Sequence, residues 1–181
     1  MRLFIAITLS REVADTLDGV IRRLRSCCES GRCTRTANLH LTIVFLGETA
    51  PGRVASVKEA MDRAAVSPFS LHIGGFGSFR REGGSLFWAG VERSDALTEL
   101  HRRLSAELRK RGFPLERRGF RPHLTLVRQA VLKREYDHNA FVVPAMKMPV
   151  KKITLMKSER PGGKLVYTPL YESALWREDE A

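Results

Sequence analysis

The tetrapeptides His40-Leu41-Thr42-Ile43 and His123-Leu124-Thr125-Leu126 lie 83 residues apart, and no other histidine of the chain is followed two positions later by threonine. In an extended strand side chains alternate between faces, so each His shares a face with its own Thr while the aliphatic neighbours point the other way. One such motif reads as an ordinary half-buried strand. Two mark an internal repeat, because the same offset also pairs Phe4 with Phe87, Ala6 with Ala89, Leu17 with Leu100, Ile21 with Leu104 and Val44 with Val127. Each half reads as apolar strand, amphipathic helix and His-x-Thr strand. Duplication of such a unit predicts two similar lobes that set His40 opposite His123.

The 181 residues, 43% of them hydrophobic, fit one domain over 1–181 whose two lobes share a core. Residues 3–9 form an apolar strand, too short to cross a membrane and followed by Arg11-Glu12 without a secretory cleavage pattern. Ser10 caps a helix whose inward stripe is Val13, Leu17, Val20, Ile21 and Leu24. A loop carries Cys27, Cys28 and Cys33, and residues 39–46 are the first His-x-Thr strand. A second helix over 51–65 buries Val54, Val57 and Met61.

Residues 69–73 alternate as a strand, and residues 76–91 form a hairpin turning at Glu82-Gly83-Gly84. Ser94 caps a third helix with Leu97, Leu100, Leu104 and Leu108 inward, ended by Gly112. The second His-x-Thr strand follows. Residues 133–149 read as irregular, residues 150–156 and 165–171 as strands, and residues 177–181 as a loose tail. Interspersed helices and hairpin strands give an α+β class.

Composition excludes several functions. Three clustered cysteines lack the spacing of a disulfide framework or a zinc knuckle, so a reduced, cytoplasmic protein is expected. Gly74, Gly75 and Gly77 match neither a Walker loop nor a dinucleotide fingerprint. The formal charge of +11 favours a polyanionic partner, and the short N-terminal apolar run indicates no membrane role.

Imidazole, with an unperturbed pKa near 6.5, can be base in one copy and acid in the other near neutrality. Facing histidines therefore suit cleavage of a cyclic phosphodiester, where one takes a proton from attacking water and the other gives one to the leaving oxygen. Thr42 and Thr125 can donate hydroxyl hydrogen bonds to the non-bridging oxygens. Arg128, at the end of the second strand, can clamp the phosphate, and Arg121 and Arg118 can guide an RNA backbone. His72, His101 and His138 have no such partners in sequence, and neither motif shows zinc-ligand spacing.

These residues resemble a known group, the two-histidine phosphoesterases, and within it the LigT-like RNA 2′,3′-cyclic phosphodiesterases, also called 2′-5′ RNA ligases. The resemblance runs through Arg2-Leu3-Phe4-Ile5-Ala6, Leu39 to Thr42, Phe45-Leu46-Gly47-Glu48, Arg121 to Leu126 with Arg128, Leu155 to Glu159, and Tyr167. Val127 stands before Arg128 where relatives often have Ala. The resemblance implies a bilobal fold of two antiparallel sheets flanked by helices, with a pseudo-twofold axis and both motifs in a central groove. It implies no metal, and hydrolysis of RNA ends bearing a 2′,3′-cyclic phosphate to a 2′-phosphomonoester. A monomer without cofactor is expected, and nothing in the residues separates an RNA end from a small cyclic nucleotide as substrate. By the family pattern His40 is the acid and His123 the base, an order the two alike halves do not fix by themselves. Ligation of tRNA halves through a 2′-5′ bond and a non-catalytic RNA-binding module are the alternatives.

Overall fold

A computed structural model describes residues 1–64, 66–116 and 119–176. Two antiparallel sheets carry the fold. The first, of four strands in the order β3-β1-β8-β9, comprises β3 (His40–Glu48), β1 (Arg2–Thr8), β8 (Lys152–Glu159) and β9 (Val166–Ala174). The second, of five in the order β2-β6-β5-β4-β7, comprises β2 (Cys28–Cys33), β6 (His123–Leu132), β5 (Gly84–Val91), β4 (Phe69–Arg81) and β7 (Met146–Val150).

The duplication is visible in the topology. In the first half β1 leads through α1 (Arg11–Ser26) to β3, which returns antiparallel to β1. In the second half β5 leads through α3 (Asp95–Lys110) to β6, which returns antiparallel to β5. Both helices start at a serine cap, Ser10 accepting from the Val13 amide and Ser94 from the Leu97 amide. Such a cap satisfies one of the amides that a first helical turn leaves unpaired. Every residue of both expected helix stripes is buried, and they join the sheets in a single core.

β1 is apolar along its length because both its faces are covered. Leu3, Ile5 and Ile7 enter the main core, while Phe4 and Ala6 pack with Met156 and Tyr167 on the opposite face. That second, smaller cluster is the floor beneath His40, whose ring lies 4.8 Å from that of Phe4.

Several sequence expectations are corrected. The cysteine segment is a strand, β2, because β6 offers it an edge to pair with. Its polar middle, Glu29 to Arg32, conceals that pairing from any alternation test. Residues 69–81 form one continuous strand, β4, and in the β4–β5 hairpin two glycines sit where neighbouring atoms leave no room for a side chain. A Cβ on Gly90 would fall 2.3 Å from the Gly74 carbonyl oxygen, and one on Gly77 would fall 2.0 Å from the Trp88 ring. The stretch read as irregular ends in β7, and the following strand starts at Lys152. The second helix begins with a 3-10 turn at Pro51–Arg53 and is α-helical only over α2 (Val54–Arg63), with Val54 half-buried. Ala65 and the 177–181 tail lie outside the described residues.

Replacing Gly77 by Ala should lower stability by about 1–3 kcal/mol, the usual cost of forcing a methyl into filled space. The midpoint of urea unfolding should fall with its slope unchanged. A midpoint equal to that of the wild type would mean that the Trp88 ring moves aside freely.

Candidate active site

The two His-x-Thr motifs open the two repeat strands, β3 and β6, and Cα atoms of these strands approach within 8 Å across the sheets. Leu41 and Ile43 on one strand and Leu124 and Leu126 on the other are buried. Their burial in the core fixes the opposite face, with His and Thr, toward the groove.

Both strands then break alternation at the same step. Ala6 pairs with Thr42 but Ile5 with Val44, and Trp88 pairs with Thr125 but Phe87 with Val127. One extra residue in each strand makes a β-bulge, which reverses the faces of the residues after it. The side chain five positions after each His is thereby brought to the groove: Phe45 in the first repeat and Arg128 in the second. Simple alternation would turn both away. A left-handed Gln129, at φ 52°, follows Arg128 directly.

A cavity of about 520 Å³ collects His40, Thr42, Thr125, Arg128 and Phe45. Its walls also carry Arg2, Arg32, Arg35, Arg160 and Lys164, with no carboxylate among the described lining residues. His123 and Arg121 line an adjoining cavity, which shares Thr42 and Phe45 with the first. Arg118 lies outside the described residues. Arg32, which no motif or spacing singled out, stands directly across the β2–β6 ladder from Arg128. Like charges in facing positions repel. An anion placed between them would remove that repulsion.

The two histidines are held in the same way. Nδ1 of His40 lies 2.7 Å from the Asn38 carbonyl oxygen, and Nδ1 of His123 lies 2.7 Å from that of Arg121. A carbonyl only accepts, so in each ring Nδ1 carries the hydrogen and Nε2 is left for proton exchange. Nε2 of His40 accepts from the Thr42 hydroxyl at 2.9 Å. Asn38 is itself anchored, its side-chain amide donating to the Leu165 carbonyl at 3.0 Å.

Around the rings the surroundings differ. His40 lies between Phe4 and the edge of Tyr167, whose centroid is 5.0 Å away. Burial there lowers the His40 pKa below its usual 6.5. The Asn38 hydrogen bond opposes this, whereas Arg128 and His123 push the same way. The His123 ring meets Phe79 edge-on at 5.5 Å and has Trp88 beyond.

Of the other histidines, His72 is exposed and 4.0 Å from Glu92, and His138 sits beside Tyr136. His101 is not a bystander on its helix, since it lines the second cavity and stacks on Phe120. Asn38, Tyr167 and Phe45 contribute to the site without any repeated motif to announce them. The bulge offset, five residues past each His, was the available signal for Phe45.

Known proteins share this fold and part of this sequence. The profile of the 2′-5′ RNA ligase superfamily matches residues 13–162. The chain is 30% identical over 177 residues to an RNA 2′,3′-cyclic phosphodiesterase of Thermotoga maritima, covering 95% of this chain and 94% of that one. It is 35% identical over 129 residues to one of Geobacillus stearothermophilus, covering 70% of this chain but only 41% of that protein. A crystal structure of a Thermus thermophilus protein superposes with a TM-score of 0.82 at 29% identity, over 98% of this chain and all of the other. E. coli LigT complexed with 3′-AMP superposes with a TM-score of 0.78 at 26% identity, over 96% of each chain.

An NMR titration of the imidazole signals should give His40 a midpoint below 6.5. Between that midpoint and 6.5 the unfolded chain binds a proton that the folded chain refuses, so stability should rise with pH across this window. Tyr167→Ala, which opens the ring to water, should move the midpoint upward. A wild-type midpoint at or above the ordinary value would contradict the assigned burial.

Proposed function

The chain belongs to the 2′-5′ RNA ligase superfamily, and on that premise we propose that it hydrolyses RNA 2′,3′-cyclic phosphate ends to 2′-phosphomonoesters, with His40 as acid and His123 as base. The observation that carries this reading is the matched tethering of the rings. Each histidine surrenders Nδ1–H to a carbonyl two residues upstream and keeps Nε2 for the reaction, beside a cavity rich in cations and free of described carboxylates.

Water attacks phosphorus as His123 Nε2 takes its proton, and the bond from phosphorus to O3′ breaks as protonated His40 Nε2 delivers a proton to O3′. The products are a 2′-phosphate and a 3′-hydroxyl, and solvent returns both rings to their starting states. Thr42 and Thr125 donate to the non-bridging oxygens, where charge accumulates in the transition state. Arg128 and Arg32 neutralise the phosphate, relieving the repulsion between them. Phe45, 43% exposed, offers a ring face to a base.

The low proton affinity of His40 bears on its role. A donor that holds its proton weakly transfers it readily, and the incoming anion offsets the Arg128 charge that disfavours protonation. The bound substrate thus restores the proton the reaction uses. The family name also covers ligation, in which a 5′-hydroxyl replaces water as nucleophile while O3′ remains the leaving group. The protein acts as a monomer in this reading, since one chain supplies both histidines. Free Cys27, Cys28 and Cys33 support a cytoplasmic setting, and among the described residues no helix is long and apolar enough to cross a membrane.

His40→Ala and His123→Ala should each lower turnover of a 2′,3′-cyclic-phosphate RNA by about 10²–10⁴ with unchanged circular dichroism. Product analysis in chelator should find the 2′-phosphate, and added 5′-hydroxyl RNA should divert product only if ligation competes. With a p-nitrophenyl phosphodiester, whose leaving group needs no proton, the His40 variant should retain activity and the His123 variant should not. The opposite pattern would exchange the two roles, and a 3′-phosphate product would overturn the choice of leaving oxygen. For the wild type, kcat/KM should decline as pH rises through the lowered His40 value, because the acid must be protonated in the free enzyme.

A further inference from the structure

The cavity that adjoins the His-Thr centre has a volume of about 770 Å³, and its far wall takes no part in the proton transfers at phosphorus. On one side stands the tip of the β4–β5 hairpin with Phe79, Arg80 and Arg81. On the other is the segment entering β6, with Phe120 and Arg121. Among the described residues neither Arg80 nor Arg121 has a hydrogen-bond or ion-pair partner for its guanidinium, and Arg81 lies over the Phe79 ring at 5.9 Å. Glu116 is the one carboxylate among the described lining residues.

The aromatic element is held in place. Phe120 stacks on His101 with centroids 4.3 Å apart and planes within 4°, and its carbonyl accepts from Arg93. His101 contacts Ser105 on the same helix at 3.4 Å. Burial, with Arg109 and Arg93 nearby, lowers the His101 pKa, so the ring under Phe120 stays neutral near pH 7. A fixed aromatic pair facing guanidiniums that lack counter-charges matches what a single-stranded nucleic acid requires: a surface for a base and cations for the backbone. Continuity through Thr42 and Phe45 joins this cleft to the phosphate site without a break.

We infer that the second cavity holds the nucleotide on the 5′ side of the reacting end, so that the substrate is a single-stranded oligonucleotide and not a mononucleotide. The inference rests on the cyclic-phosphodiesterase reading only for which end reacts. Arg80 and Arg81 take the backbone phosphate entering the cleft, and the His101–Phe120 pair supports the base.

Two measurements test this separately from the reaction. In the first, kcat/KM for a tetranucleotide ending in a 2′,3′-cyclic phosphate should exceed that for the 2′,3′-cyclic mononucleotide by about tenfold or more. The Arg80→Ala/Arg81→Ala double variant should lose about tenfold on the tetranucleotide through KM, with mononucleotide hydrolysis unchanged within about twofold. Equal efficiency on both substrates, or equal losses on both in the variant, would overturn the inference. In the second, anisotropy of a labelled tetranucleotide ending in a plain 3′-phosphate reports binding alone. The double variant should bind more weakly, with a salt slope reduced by about 0.7 for each phosphate no longer neutralised. Weakened binding alongside a wild type inert toward cyclic phosphates would sink the proposed reaction and leave the subsite standing, whereas unchanged binding would remove the subsite.

Discussion

A β-strand can serve two masters only because its side chains alternate, and the whole molecule depends on that alternation in β3 and β6. Leu41 and Ile43, and likewise Leu124 and Leu126, are driven into the core, each worth about 1.5–3 kcal/mol relative to exposure. The histidines and threonines between them are carried to the other face without any force of their own. Slipping either strand by one residue would bury the chemistry and expose the core, so the hydrophobic effect enforces the register of the site.

The backbone departs from alternation at the same place in each strand, directly after the His-x-Thr motif. The bulges after Thr42 and Thr125 turn Phe45 and Arg128 into the cavity. A duplicated scaffold thus presents equivalent positions, which the two halves fill differently: an aromatic ring in one and a guanidinium in the other. The histidines and threonines kept their identities. In the proposed reaction the phosphate needs one proton donor and one acceptor on opposite sides, but only one base and one counter-charge.

Electrostatics sets the resting condition of the site. Arg32 faces Arg128 across a ladder, and Arg2, Arg35, Arg160 and Lys164 add to a cavity that no described carboxylate balances. Such facing like charges cost on the order of 0.2–1 kcal/mol per pair, and the core absorbs this easily. Burial between Phe4 and Tyr167 lowers the His40 pKa, and Arg128 and His123 push it the same way. In the proposed reaction an incoming anion would therefore couple charge to protonation.

By itself the sequence singled out the two paired histidines and most of the scaffold. The 83-residue repeat, the serine caps and the leucine stripes of α1 and α3 are local or periodic signals, and each half states them independently. Tertiary structure decided what depends on partners distant in the chain. The polar β2 became a strand only because β6 lies beside it, and that pairing put Arg32 opposite Arg128. Tyr167 reaches His40 from β9, the Leu165 carbonyl anchors Asn38 from the far end of the chain, and the second cavity exists only where the β4–β5 hairpin meets the segment before β6. Periodicity records which face a residue turns to its own sheet, but what that face then meets is fixed by long-range packing, which leaves no period in the chain.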